Sequence, residues 1–140
     1  AKSPLLGEWS VVDATGEGLA KTLKDNVTSI AIDDGKFEAA DASAYRSMIL
    51  AARALVRTRF LNVGNDSNRI VSEFKTRFYD TELFFDKYAK GKFAQYLFER
   101  HDNTPTVHTR ESAYRATEEA RLFIEAVHAS ESRLNVIALP

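Results

Sequence analysis

Arg46, Arg53 and Arg57 stand seven and four residues apart, a spacing that sets their side chains along one line of a helix. Guanidinium groups in a row suit phosphate or carboxylate recognition, because each presents a planar fork of donors. The row runs beside Ile49 and Leu50, so it would lie next to apolar surface and form an anion or nucleotide site between helices. The same row would serve instead to pair with acids such as Glu118, Glu119 or Asp86 on neighbouring helices and hold the register of a bundle. On the sequence both readings stand open.

Other chemistries are excluded more firmly. The three histidines are His101, His108 and His128. The first two flank a proline-containing loop, the third sits in a helical stretch, and none has a carboxylate at a recognised ligand spacing, so no metal site is expected. The chain has no cysteine, which removes thiolate zinc, iron–sulfur ligation, disulfides and a cysteine nucleophile together. The six glycines form no Gly-x-Gly-x-x-Gly or Gly-x4-Gly-Lys-Ser pattern, so no phosphate-cradling loop is expected. No cofactor is expected within these residues.

A net charge of −1 argues against a general nucleic-acid binder. The charge is unevenly spread: residues 1–44 sum to −4, residues 45–101 to +5 with eleven Lys and Arg against six acids, and residues 102–140 to −2. A basic middle attracts anions or, more commonly, sits in water and pairs with acidic neighbours. No apolar run reaches the roughly 18 uncharged residues of a membrane helix; Arg53 and Glu125 interrupt the longest candidates. The first seven residues resemble no secretory leader, and a start at Ala1 rather than Met leads us to expect an excised piece of a longer, cytoplasmic chain.

With 140 residues of which 44% are hydrophobic, the chain can bury the core of one domain. Residues 1–16, with Pro4, Gly7 and Trp9, read as an extended leader. From Glu17 the apolar positions Leu19, Leu23, Val27, Ile30 and Ala31 mark one face of a first helix, closed by Asp34-Gly35. A second helix is expected over 37–61, with Tyr45, Met48, Ala52 and Leu55 on its inner stripe. Asp66 or Ser67 should cap a third, which carries Ile70, Val71, Phe74 and Phe78 inward and breaks near Asp80. After Lys90-Gly91-Lys92 a short helix turns Phe93, Tyr96 and Leu97 inward. The stretch from His101 to Thr106 is a loop, and a last helix over 109–129 buries Ala113, Ala116, Ala120, Phe123, Ile124 and Val127. Residues 132–140 form a tail. Alternation sufficient for a sheet is absent, so the expected architecture is an all-α, up-and-down bundle of about five helices over 17–131. Ten Phe and Tyr fall between Phe60 and Phe98; some are expected to meet a second copy of the chain or another domain.

The run Ala44-Tyr45-Arg46-Ser47-Met48-Ile49-Leu50-Ala51-Ala52-Arg53-Ala54-Leu55-Val56 resembles the second helix of HEPN domains, and Glu118-Glu119-Ala120-Arg121-Leu122-Phe123-Ile124-Glu125 resembles their closing helix. The likeness spans about residues 17–130 and implies a helical bundle that commonly dimerises. Many HEPN domains are metal-independent ribonucleases that use an Arg and a His with four to six residues between them; Arg121 and His128, with six residues between them, fit that spacing. Leu122-Phe123-Ile124 between them is apolar where the family motif has a polar residue after its Arg. Other members lack the motif and act as binding or accessory modules. A narrower likeness, around 70–85 and 118–126, is to the C-terminal helical region of bacterial ferredoxin-type sulfite or nitrite reductases. It implies an appended, non-catalytic accessory or interaction domain, the siroheme and iron–sulfur cluster belonging to the preceding part. The alternative implied by the broader likeness is a ribonuclease or nucleotide-binding module of a toxin–antitoxin type system.

Overall fold

The Ala-, Leu- and Met-rich stretch from Phe37 has few β-branched residues and folds as the expected helix, α1 (Phe37–Arg57). The computed structural model describes residues 32, 34–84 and 90–138; the leader at 1–16 and the helix expected over 17–31 lie outside the described residues. After α1 come α2 (Ser67–Phe74), a wide π turn (Lys75–Tyr79), α3 (Lys92–Asp102) and α4 (Arg110–Ala138). Among the described residues there is no strand, and the fold is an all-α bundle of four helices and the π turn. None of these helices is long and apolar enough to cross a membrane.

Local chemistry sets the boundaries. Thr58 closes α1: its hydroxyl and its amide both donate to the Leu55 carbonyl, at 2.6 and 3.1 Å. The chain then reverses through Gly64, whose φ of 76° is one that only glycine adopts without strain. Asp66 caps α2 as its sequence position foretells, accepting from the Arg69 amide at 3.1 Å, which satisfies one of the free donors at a helix start. The break near Asp80 is real and takes the form of the π turn, closed by the Asp80 amide on the Lys75 carbonyl at 2.8 Å. Ahead of α3 lies Gly91, where any Cβ would stand 2.8 Å from the Tyr79 ring. Thr109 and Ser112 cap α4 reciprocally: each side-chain oxygen accepts from the other's amide, at 3.0 and 2.9 Å, a capping box with Ser in place of Glu.

α1 and α4 form the main packed pair, with α2 against α1 and α3 against α4. Ala40, Ala44, Ala51, Ala52 and Ala54 on α1 and Ala113 and Ala120 on α4 are fully or almost fully buried, and such small side chains let two helix backbones approach closely. The volume left is filled by rings. Phe74 lies at the centre, within 5.1 to 6.3 Å of the ring centroids of Phe78, Phe84, Phe98 and Phe123. Of the residues expected on the core stripes, Met48, Ala52, Leu55, Phe74, Ala120, Phe123 and Ile124 are buried and Tyr45 is half-buried.

Three expectations need correction. α3 runs on through His101 and Asp102, so the loop starts at Asn103. α4 does not stop at Ala129 but continues to Ala138, through most of the segment 132–140 read as a tail. Leu134, seven residues beyond Val127, extends the same buried stripe, and Ser130 and Glu131 are buried beside it rather than marking a polar stop. Finally, α1 ends at Arg57, short of the residue 61 expected. The described rings between Phe60 and Phe98 are buried or partly buried against the core.

Candidate functional site

The Arg row of α1 is only partly gathered. Arg46 and Arg53 border a hollow of about 390 Å³ between α1 and the start of α2, together with Ile49, Leu50, Asn65 and Ile70. Arg57 does not line it. Arg53 is already engaged, its Nε donating to the Gly64 carbonyl at 2.7 Å, so it pins the turn that leads into α2. Glu118, one of the acids expected to meet the row, is bound by Arg121 on its own helix.

Arg121 and His128 both lie on α4. The Arg121 guanidinium is held between Glu118 at 2.7 Å and Glu125 at 2.8 Å, a clamp across one turn before and one turn after it on α4. The hydrogen bond to Glu118 foremost holds its pKa above the usual arginine value, burial opposing and Glu125 adding to the rise. His128 lies two turns on, about 10 Å along the axis at 1.5 Å per residue, half-buried, with its Nδ1 enclosed and without a hydrogen-bond partner among the described residues. Arg121 is therefore committed to the helix flank and His128 is partly covered by the bundle.

A second concave site was not foreseen. Asp41, Tyr45 and Met48 of α1, Tyr96, Glu99 and Arg100 of α3, His108 of the following loop, and Arg115 and Glu119 of α4 enclose a cleft of about 380 Å³. Each helix contributes a stripe at helical spacing: 41, 44, 45 and 48; 96, 99 and 100; 112, 115, 116 and 119. Its floor is a largely buried ion pair, Arg100 Nη2 to Asp41 Oδ2 at 2.8 Å, supported by Nε to the same oxygen at 2.9 Å. The Arg100 guanidinium lies over the Tyr45 ring, 4.6 Å from its centroid, and the Tyr45 hydroxyl meets His101 Nδ1 at 2.7 Å. These groups satisfy one another and make the floor rigid.

The walls are different. Glu119 is half-buried and Glu99 exposed, and neither carboxylate has a hydrogen bond or ion pair among the described residues. Burial pushes the Glu119 pKa up; Arg115 opposes this, Glu99 adds to it and Lys92 opposes it. Arg115 makes its own contact with Glu111, at 3.6 Å and in solvent. Because the folded chain holds the Glu119 proton more tightly than the unfolded chain does, stability falls as pH rises from the ordinary glutamate range through the raised value. Glu119→Gln is expected to raise the thermal midpoint at neutral pH and to match the parent on the acid side of that range, as scanning calorimetry at the two pH values would show. Equal midpoints at neutral pH would contradict this account of the carboxylate.

Among the described residues no group of three His, Asp or Glu could hold a metal ion. His101 and His108 are drawn to the same end of the bundle, His108 on the cleft and His101 behind Tyr45, while His128 is elsewhere on α4. The one sequence signal for the cleft was Asp41, an acid on the inner stripe of α1; its partner Arg100 lies 59 residues away, beyond any periodicity. Compared with known proteins, the chain matches no family model, and no match is found among curated proteins or solved structures.

Proposed function

We propose that the chain is a non-catalytic accessory or interaction domain, appended to a siroheme-type sulfite or nitrite reductase. The observation that supports the first half is the clamp on Arg121. In metal-free RNA cleavage one group must move a proton at the 2′-hydroxyl or the leaving oxygen while a cation meets the phosphate, so both must face one open cleft. Here the only Arg–His pair with the ribonuclease spacing has its cation spent on Glu118 and Glu125 and its imidazole partly covered.

The second half rests on the resemblance around residues 70–85 and 118–126; the described residues 70–84 hold the aromatic centre of the bundle, and 118–126 are the clamped part of α4. Siroheme and a cluster do not fit the residues present, since the chain has no cysteine; they would be held by the part of the parent that precedes this domain. In that setting the domain packs against the rest of its parent or a second copy, in the cytoplasm. The test is the coding sequence upstream of Ala1 together with the absorption spectrum of its purified full-length product. The reading expects four clustered cysteines upstream and a siroheme spectrum. A free-standing start, or an upstream frame without the cysteines, would overturn the link to a reductase.

A further inference from the structure

The cleft between α1, α3 and α4 has a volume in the range of small-molecule sites, and its charges divide into spent and available. Arg100 and Asp41 neutralise each other in the floor, and Arg100 is covered by Tyr45. Arg115 reaches outward to Glu111. The carboxylates of Glu99 and Glu119, one from each facing helix, line the cleft with no hydrogen bond or ion pair among the described residues; Arg115 and Lys92 attract Glu119 only from beyond contact distance. A half-buried carboxylate with no hydrogen-bond donor is a standing cost to the fold, because water solvates it incompletely and the distant charges of Arg115 and Lys92 replace only part of that solvation. A cation placed beside it restores the lost interaction. Beside these carboxylates the lining is apolar: Ala44, Met48, Tyr96, Pro105 and Ala116, a surface for a short hydrocarbon stem.

We propose that this cleft binds an alkylammonium group, its stem against Met48, Tyr96 and Ala116 and its nitrogen at the carboxylates of Glu99 and Glu119. Ammonium carries three donors on a flexible stem, which suits two carboxylates presented from different helices. The ammonium comes either from a free aliphatic diamine or from a lysine side chain of another protein surface. The inference stands apart from the reductase reading, since it uses only side chains of this chain.

The test titrates the complete 140-residue chain with cadaverine, with lysine blocked at both its α-amine and its carboxyl, and with pentanol as the uncharged control, following the NMR signals of Tyr45 and Tyr96. Saturable shifts with cadaverine, blocked lysine or both are expected, and none with pentanol; which amine binds tells the free from the protein-borne source. Glu119→Gln, which is expected to fold at least as stably as the parent, should weaken binding about tenfold or more, the loss of about 1.4 kcal/mol. Absence of saturable shifts with both amines, equal response to pentanol, or unchanged affinity in a folded Glu119→Gln chain would each overturn the proposal.

Discussion

Phe74→Ala is expected to destabilise the bundle by about 3 to 5 kcal/mol, the range for truncating a buried aromatic. Phe74 is fully buried and is the ring that Phe78, Phe84, Phe98 and Phe123 share. Its loss removes the edge-to-face contacts with Phe84 and Phe123 as well as the transfer energy, and two of these neighbours reach it from parts of the chain beyond the π turn and on α4. The helices around the void are lined with alanine, which has no rotamer freedom with which to fill it. Chemical denaturation of the parent and variant measures the difference. A cost under about 1 kcal/mol would mean that the rings are loosely packed and that Phe74 is not the centre of the core.

Asp41→Ala is expected to cost about 3 kcal/mol, the lower part of the range for breaking a buried ion pair by removing one partner. Asp41 and Arg100 keep 10% and 18% of their side-chain exposure, so the orphaned guanidinium would be left with the Tyr45 face and little water. The double change Asp41→Ala with Arg100→Met should cost less than Asp41→Ala alone, because it removes the stranded charge and supplies apolar volume in its place. A double variant as unstable as the sum of the two single ones would show that the pair does not act as a unit.

How far the sequence could be read depends on the range of the interactions involved. The inner stripe of α1, the Asp66 cap and the break before Asp80 are set by neighbours within a turn or two, and periodicity and capping chemistry expose them. α4 ends later than the expected Ala129 because Leu134 continues the buried face past Ser130 and Glu131, which are themselves buried. How the described rings between Phe60 and Phe98 pack on the core was not legible, because the alanines beside them lie largely on other helices, and volume balance between helices is not a local property. The Arg row was legible as a row, but that Arg53 would tie the turn at Gly64 and that Arg57 would fall outside the hollow depends on how α2 is docked. The cleft was illegible for the same reason: its stripes belong to three helices whose facing is fixed only by packing.

Incubation of the purified chain with mixed single-stranded RNA, with His128→Ala alongside, decides whether these residues perform RNA chemistry. With Arg121 clamped by Glu118 and Glu125 and His128 partly covered, no cleavage above buffer is expected from either protein. Cleavage by the parent that disappears in His128→Ala would contradict the account and make Arg121 and His128 the catalytic pair of a ribonuclease.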